Sequence, residues 1–359
     1  MARARVTSPP KAAKGLPTVA GCGDAGFAGD GGSAVEARLA FPSGVAVDAD
    51  GNVFVSDHAN HRVRRVDPSG VVVTVAGDGV RGDGGDGGEA QRARLGFPVA
   101  VALDGQGNVF IADEMTHRVR RVDASGAIGT VAGDGSRGGG GDGGPAVRAR
   151  LDVPCAVVAA AGGELFVAEG GGRAVRRIDG EGTISTVVAE SPLGRDVAVA
   201  GAPFVPAGLA IDASGRLYIA DAEGRRLLRW DASAGLTVLA GAGAGDEEGA
   251  GVRVPWAAPC GVAVDAGGVV YVADQNAHSV WRLEGGAATV LTGPGEPTGP
   301  GEDGGPRSEL AYPSGLALDA AAKRLLVADN FHHRIAEVAL PSRKAGTRRR
   351  PARRGPAKS

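Results

Sequence analysis

The amino-acid sequence predicts an all-β chain that folds as a six-bladed β-propeller, with four antiparallel strands per blade and a ring closed by the N-terminal strand. Three observations lead to this prediction. The 359 residues include 62 glycines and 43% apolar residues, which is typical of a globular chain with many tight turns between short strands. One phrase recurs six times, and a strand that the sixth copy lacks stands at the start of the chain.

Two anchors mark the repeat. The first is the proline of Pro-Ser-Gly-Val-Ala-Val-Asp, which recurs at intervals of 52–56 residues as Pro42, Pro98, Pro154, Pro206, Pro259 and Pro313. The second is the carboxylate that ends Val-Ser-Asp, which recurs at matching intervals as Asp57, Asp113, Glu169, Asp221, Asp274 and Asp329. Because both anchors keep the same spacing, the chain contains six copies of one structural unit.

Each copy contains four apolar runs that are separated by turn residues. In the first copy these runs are Gly44–Val47, Val53–Ser56, Val63–Val66 and Val71–Ala76. Aspartate, asparagine, proline and glycine lie between the runs and favour tight turns. Short runs rich in β-branched side chains predict strands, and four strands in each of six units predict a propeller.

The start of the chain supplies the strand that closes the ring. The fourth strand of most copies carries Thr-Val-Ala-Gly or a variant of it, but the sixth copy ends at Leu340 without one. The missing phrase occurs at Thr18–Gly21. Pairing this segment with residues 333–340 would remove an open sheet edge, which is a site of aggregation in β proteins. We therefore expect the N-terminal strand to complete the last blade.

The recurring phrases resemble those of a known family. Gly-Asp-Gly-Gly, Ala-Arg-Leu, Gly-Asn-Val-Phe-Val, Asn-His-Arg-Val-Arg and Thr-Val-Ala-Gly are similar to the NHL repeat of bacterial and animal propellers. The resemblance extends over roughly residues 16–340 and implies the propeller fold. It implies function only broadly, because such propellers include binding domains, sensor domains of kinases, RNA binders and a few lyases.

Basic residues are concentrated at the two ends of the chain. Residues 1–14 contain four and residues 341–359 contain eight, and neither segment contains an acid. Of the 39 basic residues, 27 therefore remain against 41 acids, and residues 15–340 carry a net charge of −14. We expect these residues to form the propeller and both flanking segments to be disordered. The acidic body argues against nucleic-acid binding by the propeller, whereas the basic C-terminal tail could bind nucleic acid.

The cysteines and the hydropathy pattern predict the compartment. Cys22, Cys155 and Cys260 are widely spaced and indicate neither a disulfide framework nor a zinc site. Cys155 and Cys260 share a repeat position at the mouth of the inner strands, where we expect small packing side chains. The N-terminus lacks the apolar run of a secretory signal, and no stretch is long enough to span a membrane. We expect a monomer in the cytoplasm.

Histidines recur at a fixed position of the repeat. They are His61, His117, His278 and His333, and the third and fourth copies have Arg173 and Arg225 there. A ring keeps such copies too far apart for one tetrahedral metal site. We expect these side chains to stabilise turns by contacting the preceding anchor carboxylate. Since no serine or cysteine follows at a fixed offset, the sequence predicts no catalytic residue.

The anchor carboxylates have two interpretations. They could accept hydrogen bonds from nearby backbone amides, as aspartates do at strand ends. Alternatively, they could point into the central channel and bind a divalent cation, calcium or zinc, through Asp57, Asp113, Asp221, Asp274 and Asp329.

The Gly-Asp-Gly-Gly loops also have two interpretations, as structural turns or as calcium sites. They occupy residues 29–32, 85–88, 141–144 and, in altered form, 302–305. Each loop has only one or two carboxylates, whereas calcium takes six to eight oxygen ligands. The sequence therefore favours tight turns over calcium binding.

The connections that enter the fourth and fifth copies depart from the repeat. They lack Gly-Asp-Gly-Gly and instead contain Arg195 with Phe204, and Arg253 with Trp256. An aromatic residue near an arginine is typical of binding hot spots. These four residues are candidates for binding a partner on the face of the Asp57–Arg62 turn, but for the two aromatic side chains loop packing is the favoured interpretation.

The sequence favours a non-enzymatic scaffold or binding module that presents one face to a partner protein or a small ligand. The alternative is a metal-dependent hydrolase or lyase with an ion in the central channel, similar in shape to lactonase and lyase propellers. The acids and histidines recur in most copies, and this periodicity is more typical of structural roles than of a single active site.

Overall fold

The computed structural model describes residues 16–190, 203–241, 251–293, 310–321 and 323–341. The predicted N-terminal segment and nearly all of the C-terminal tail lie outside these residues, as do Arg195 and the loop at 302–305. The described strands form six separate sheets. They confirm the prediction of an all-β, six-bladed propeller.

The strands follow the repeat closely. The first strand, β1, spans Thr18–Ala20. Blade 1 contains β2 (Pro42–Val47), β3 (Val53–Asp57), β4 (Arg62–Val66) and β5 (Val72–Ala76). Blade 2 contains β6 (Pro98–Leu103), β7 (Val109–Asp113), β8 (Arg118–Val122) and β9 (Ile128–Ala132). Blade 3 contains β10 (Pro154–Ala159), β11 (Leu165–Glu169), β12 (Ala174–Ile178) and β13 (Ile184–Ala189).

The second half of the ring follows the same order. Blade 4 contains β14 (Pro206–Ile211), β15 (Leu217–Asp221), β16 (Arg226–Asp231), β17 (Gly235–Gly241) and β18 (Val252–Arg253). Blade 5 contains β19 (Pro259–Val264), β20 (Val270–Asp274), β21 (Ser279–Glu284) and β22 (Ala287–Thr292). Blade 6 contains β23 (Pro313–Asp319), β24 (Arg324–Asp329) and β25 (Arg334–Ala339), and β1 completes it.

Short 3-10 helices occupy the connections. Those in the described residues each span three residues, at Ala34–Glu36, His58–Asn60, Ala90–Arg92, Glu114–Thr116, Ala146–Arg148 and Asn330–His332. None of them has the length or the apolar character to cross a membrane.

Closure by the first strand occurs as the sequence predicts. Strand β1 pairs antiparallel with β25 through Thr18 opposite Ala336 and Ala20 opposite Ile335. Gly21 ends β1 with φ of +95°, and a Cβ at this position would lie 2.2 Å from the His333 carbonyl oxygen. Only glycine allows the closing strand to approach blade 6 so closely.

Blade 4 differs from the expected four antiparallel strands. Its fifth strand, β18, pairs parallel with β17 through Ala240 opposite Val252. Gly251 precedes β18 with φ of +50°, and a Cβ there would lie 2.5 Å from the Leu239 carbonyl oxygen. The glycine lets the returning chain lie against β17, and the two paired residues are too few to leave a strand pattern in the sequence.

Inner strands surround the axis, and apolar side chains fill the spaces between neighbouring blades. The inner strands β2, β6, β10, β14, β19 and β23 line a central cavity. We call the face formed by the turns between the second and third strands of each blade, such as residues 58–61, the upper face. The anchor prolines begin the inner strands at this face, because each pairs with the anchor carboxylate of its own blade.

Candidate functional site

The anchor carboxylates are buried structural groups. Each ends the second strand of its blade and is fully inaccessible to solvent. Each accepts a hydrogen bond from a backbone N–H in the connection that precedes the inner strand, at 2.7–3.0 Å, the donors being Ala40, Gly96, Asp152, Val205, Ala257 and Ala311. The carboxylates therefore fix the entry of every inner strand.

Arginine side chains bind other oxygen atoms of several anchor carboxylates. Asp221 accepts a hydrogen bond from Arg226 at 2.8 Å, and Asp329 accepts one from Arg334 at 2.8 Å. Burial raises the pKa of Asp57 to about 6, against the opposing effects of backbone and side-chain hydrogen bonds. Burial likewise raises the pKa of Glu169 to about 7, while nearby Arg176 opposes the shift.

This geometry does not fit a divalent cation at the anchors. The predicted set of Asp57, Asp113, Asp221, Asp274 and Asp329 does not line the central cavity. Within the described part of the chain, no three histidine, cysteine, aspartate or glutamate side chains come close enough together to hold a metal ion. The interpretation of these carboxylates as channel-facing metal ligands is corrected, because all five accept hydrogen bonds from backbone amides, and Asp57, Asp221 and Asp329 also contact arginines.

The repeated histidines join neighbouring blades. Each adopts the left-handed conformation, with φ of 51–53°. The Nδ1 atoms of three of them accept hydrogen bonds of 3.1–3.3 Å from the residue before the next anchor proline, which is Phe41 for His333, Val153 for His117 and Tyr312 for His278. The expected contact with the preceding carboxylate is corrected, because the left-handed turn directs the imidazole towards the next blade.

His61 is an exception within this ring. Its Nδ1 atom is buried without a hydrogen-bond partner in the described structure, because the N–H of Phe97 is bound to Asp113 instead. The His61 ring contacts the Phe97 ring edge-on, with the centroids 4.7 Å apart. Blades 1 and 2 are therefore in contact here through the rings of His61 and Phe97.

Aspartates of the glycine-rich loops bind buried arginines. Asp30 lies 2.7 Å from Arg64, and the equivalent pairs Asp86–Arg120 and Asp142–Arg176 are each separated by 2.5 Å. The three arginine side chains are 0–1% exposed. These contacts support the interpretation of the loops as structural turns, with an ion pair in place of a calcium ion.

Two of the predicted partner-binding residues lie in the core. Phe204 is 0% exposed and packs between blades 3 and 4, and Trp256 is 2% exposed and packs between blades 4 and 5. These positions agree with loop packing, and the candidacy of Phe204 and Trp256 as partner-binding residues is corrected, since both side chains fill the space between adjacent sheets. Arg253 is exposed and lies in β18.

An exposed group of aromatic side chains is present elsewhere on the upper face. Phe331 is 53% exposed, and its ring centroid lies 4.5 Å from that of Tyr312 and 5.5 Å from that of Phe41. Tyr312 is 37% exposed. We call Phe41, Tyr312 and Phe331 the aromatic cluster. It joins blade 6 to blade 1.

A signal for the third member is present in the sequence. Phe331 occupies the second position after the anchor carboxylate, where the other copies have Ala59, Met115, Gly171, Glu223 and Asn276. The large aromatic residue is specific to the sixth copy. Comparing the repeats position by position would have identified it.

Small polar groups at the upper end of the channel bind across the blade boundaries. Ser43 Oγ donates to the Val99 carbonyl at 2.9 Å, and Ser314 Oγ donates to the Ser43 carbonyl at 2.9 Å. Cys155 Sγ donates to the Pro206 carbonyl at 3.0 Å, and Cys260 makes the same contact with Pro313 at 3.2 Å. Burial raises the pKa of both thiols to about 12, and these contacts agree with the expected packing role of the two cysteines.

Sheets arranged as six blades around a central channel define the protein as a β-propeller. The Teneurin NHL domain family matches residues 12–82. Over 98 residues, the chain is 33% identical to the chloroplastic protein SUPPRESSOR OF QUENCHING 1 of Arabidopsis thaliana. That match covers 27% of this chain and 9% of the relative, so the chain spans a small part of the length of this relative. With the six-bladed fold, these matches support the predicted resemblance of the chain to NHL-repeat β-propellers.

Solved structures share the fold at low sequence identity. An auxiliary nutrient binding protein from Bacteroides thetaiotaomicron has a TM-score of 0.62 and 14% identity, over 90% of this chain and 76% of that chain. A gluconolactonase from Xanthomonas campestris has a TM-score of 0.55 and 18% identity, over 85% and 87%. A streptogramin B lyase has a TM-score of 0.55 and 12% identity, over 85% and 95%. At these identities the similarity concerns the fold.

Proposed function

We propose that the protein is a non-enzymatic binding module that captures a partner protein on its upper face, at the aromatic cluster. The observation that carries this proposal is the exposure of Phe331 and Tyr312 in one contiguous group of rings. Exposed aromatic groups of this kind are characteristic of interaction sites, and aromatic residues contribute strongly to binding energy.

The charge of the surroundings favours a basic segment of the partner. Residues 15–340 carry a net charge of −14. The exposed carboxylate of Asp24 forms an ion pair with Arg38 at 3.6 Å and is close enough to the cluster to act on His333. It raises the pKa of His333 against the larger lowering effect of burial. Arginine and lysine side chains bind the faces of aromatic rings and are also attracted by carboxylates. A peptide segment that carries these residues matches both features.

The alternative of a metal-dependent hydrolase or lyase is less well supported. A gluconolactonase and a streptogramin B lyase are among the structures that share the fold. The anchor carboxylates on which a metal-dependent reaction would rely are committed to backbone amides and arginines. Metal analysis of protein purified without chelators separates the two hypotheses, because a stoichiometric, tightly held divalent ion would favour the enzyme.

We also propose that the protein is a monomer and that it functions in a reducing cytoplasm. The three cysteines are free thiols in the structure. The boundaries of the propeller at residues 15 and 340, and a role of the basic C-terminal tail in binding nucleic acid, are also proposed from the sequence.

The test of the proposed function compares two equivalent positions of the repeat. A partner captured by the wild-type protein is identified and purified, and its affinity is then measured by calorimetry. We expect Phe331→Ala to weaken binding at least tenfold, since hot-spot truncations cost about 2 kcal/mol or more. Met115→Ala is the matched control, because Met115 is 46% exposed at the same position of blade 2.

Two outcomes would contradict this proposal. One is unchanged affinity of the Phe331→Ala variant at an unchanged melting temperature. The other is equal weakening by Met115→Ala, which would place the contact elsewhere on the upper face. Weaker binding at higher salt is expected for a basic partner and would support the proposed role of the acidic body.

A further inference from the structure

The central channel contains a cavity of the size of a small-molecule site. Its volume is about 770 Å³, and the inner strands of all six blades line it. Known ligand pockets occupy a similar range of volume and are mostly apolar, with few polar groups that orient the ligand. Valine, leucine, isoleucine and alanine provide most of the walls here. The hydroxyl and thiol groups of the lining are already bound across blade boundaries.

Glu114 is the one formally charged side chain among the described residues that line this cavity. It follows the anchor Asp113 at the upper mouth and is partly buried. Its carboxylate has neither a hydrogen-bond donor nor a basic partner in the described structure. Burial, and secondly the charge of Asp113, raise the pKa of Glu114. A half-buried carboxylate without a partner is unfavourable for the isolated protein.

The repeat shows that this glutamate does not serve the structural role of its position. The equivalent side chain of Asn330 donates a hydrogen bond to the carbonyl of the next anchor proline, Pro42, at 3.3 Å. An ionised carboxylate cannot donate to a carbonyl oxygen. Blades 3 and 4 have Gly170 and Ala222 at this position, so neither presents a polar side chain there.

Across the mouth, a second polar side chain faces the same space. Gln275 occupies the equivalent position in blade 5, which lies opposite blade 2 in a ring of six, and it also lines the cavity. Cys155 and Cys260 are neutral thiols, because burial raises their pKa to about 12. The cavity therefore has apolar walls, a neutral amide on one side of its mouth and a negative charge on the other.

We propose that the channel binds a small organic cation, whose ammonium group pairs with Glu114 and whose hydrocarbon part lies among the inner strands. The Gln275 amide binds polar groups of the same ligand. A single carboxylate suits an organic cation better than a metal ion, since calcium takes six to eight oxygen ligands. The pairing also supplies the partner that Glu114 lacks. This site is distinct from the aromatic cluster and does not depend on the proposed capture of a protein.

The test uses three probes that differ only in the head group: hexylammonium, hexanol and hexanoate. Calorimetry at pH 7.5 is expected to show one-to-one binding of hexylammonium, at least tenfold weaker binding of hexanol and no binding of hexanoate. Glu114→Gln should weaken hexylammonium binding at least tenfold. Glu181→Gln is the control, because Glu181 is exposed in a turn of blade 3 away from the cavity. This control variant should bind like the wild type.

A variant with stronger binding complements the test, because stronger binding cannot result from a loss of folding. Gln275→Glu adds a second carboxylate at the mouth and should strengthen hexylammonium binding severalfold. Equal affinity for the three probes, no binding of hexylammonium, or full affinity of the Glu114→Gln variant would each overturn the proposal. Phe331→Ala should leave hexylammonium binding unchanged, and Glu114→Gln should leave partner capture unchanged, so the two proposals can fail separately.

Discussion

At the scale of single residues, fully buried arginines distinguish one half of the ring from the other. Arg64, Arg120 and Arg176 occupy the third position of the third strand in blades 1–3. The same position holds apolar side chains in blades 4–6, namely Leu228, Trp281 and Ala336. Each buried arginine is accompanied by an aspartate of a Gly-Asp-Gly-Gly loop. The three complete Gly-Asp-Gly-Gly loops therefore precede the blades in which a buried positive charge needs a partner.

Removal of one of these aspartates should destabilise the protein. In Asp86→Ala, Arg120 remains 0% exposed and loses the carboxylate that lies 2.5 Å away. The N–H of Thr130 also loses its acceptor. We expect a loss of about 1–3 kcal/mol in the free energy of unfolding, measured by urea denaturation.

The control for this substitution is Asp50→Ala, in an exposed turn of blade 1, which should change the free energy of unfolding by less than about 0.5 kcal/mol. Calcium should not protect the wild-type protein against urea. Stabilisation of the wild type by calcium, lost in Asp86→Ala, would restore the calcium interpretation of the loop.

At the scale of strands, the close approach of neighbouring inner strands determines which side chains are allowed. Gly208 of β14 faces β19, and a Cβ at this position would lie 1.8 Å from the Cys260 carbonyl oxygen. Gly261 and Gly315 face the next inner strand in the same way, at 2.0 and 2.6 Å. These glycines allow the inner strands to pack around a narrow axis.

The Gly208→Ala variant tests this packing. The added methyl group forces β14 and β19 apart, and overpacking of this kind costs about 1–3 kcal/mol. The melting temperature should fall accordingly. Gly162→Ala should leave it nearly unchanged, because no atom lies within 4 Å of a Cβ at that position. Equal stability of the two variants would show that the inner strands can separate without cost.

The strands could be predicted because their signals are local and repeated. Turn residues and β-branched runs recur with each anchor, and even the closing strand carries its own phrase. Burial of Phe204 and Trp256 could not be predicted, because an aromatic residue in an irregular connection has the same sequence pattern on a surface and between two sheets. Its environment depends on side chains of another blade. The position of Glu114 at the mouth of the channel could not be predicted either, because the cavity is formed only when the inner strands of all six blades come together.

At the scale of the whole molecule, closure makes the six blades interdependent. Strand β1 joins blade 6 through β25, and the N–H of Glu337 donates to the Pro17 carbonyl at 2.8 Å. Ala20 and Ile335 lie in a core cluster that also contains side chains of blade 1. Loss of β1 would therefore expose one sheet edge and open the core between the last and the first blade.

Deletion of residues 16–21 should destabilise the whole ring. We expect the melting temperature to fall by roughly 10 °C, and the unfolding transition to broaden as the blades lose their coupling. Deletion of residues 1–10 serves as the control and should have no such effect. Calorimetry distinguishes the outcomes, and an unchanged transition after removal of β1 would show that closure does not contribute to cooperativity.

The pairing of β1 with β25 also sets the order of events during synthesis. Thr18 and its partner Ala336 are more than 300 residues apart, so β1 leaves the ribosome long before the strand that will cover it. At about 5–20 residues per second, this delay is roughly 15–60 s. Throughout that time the blades can form one after another, while the first strand stays unpaired. The ring can therefore close only when translation is nearly complete.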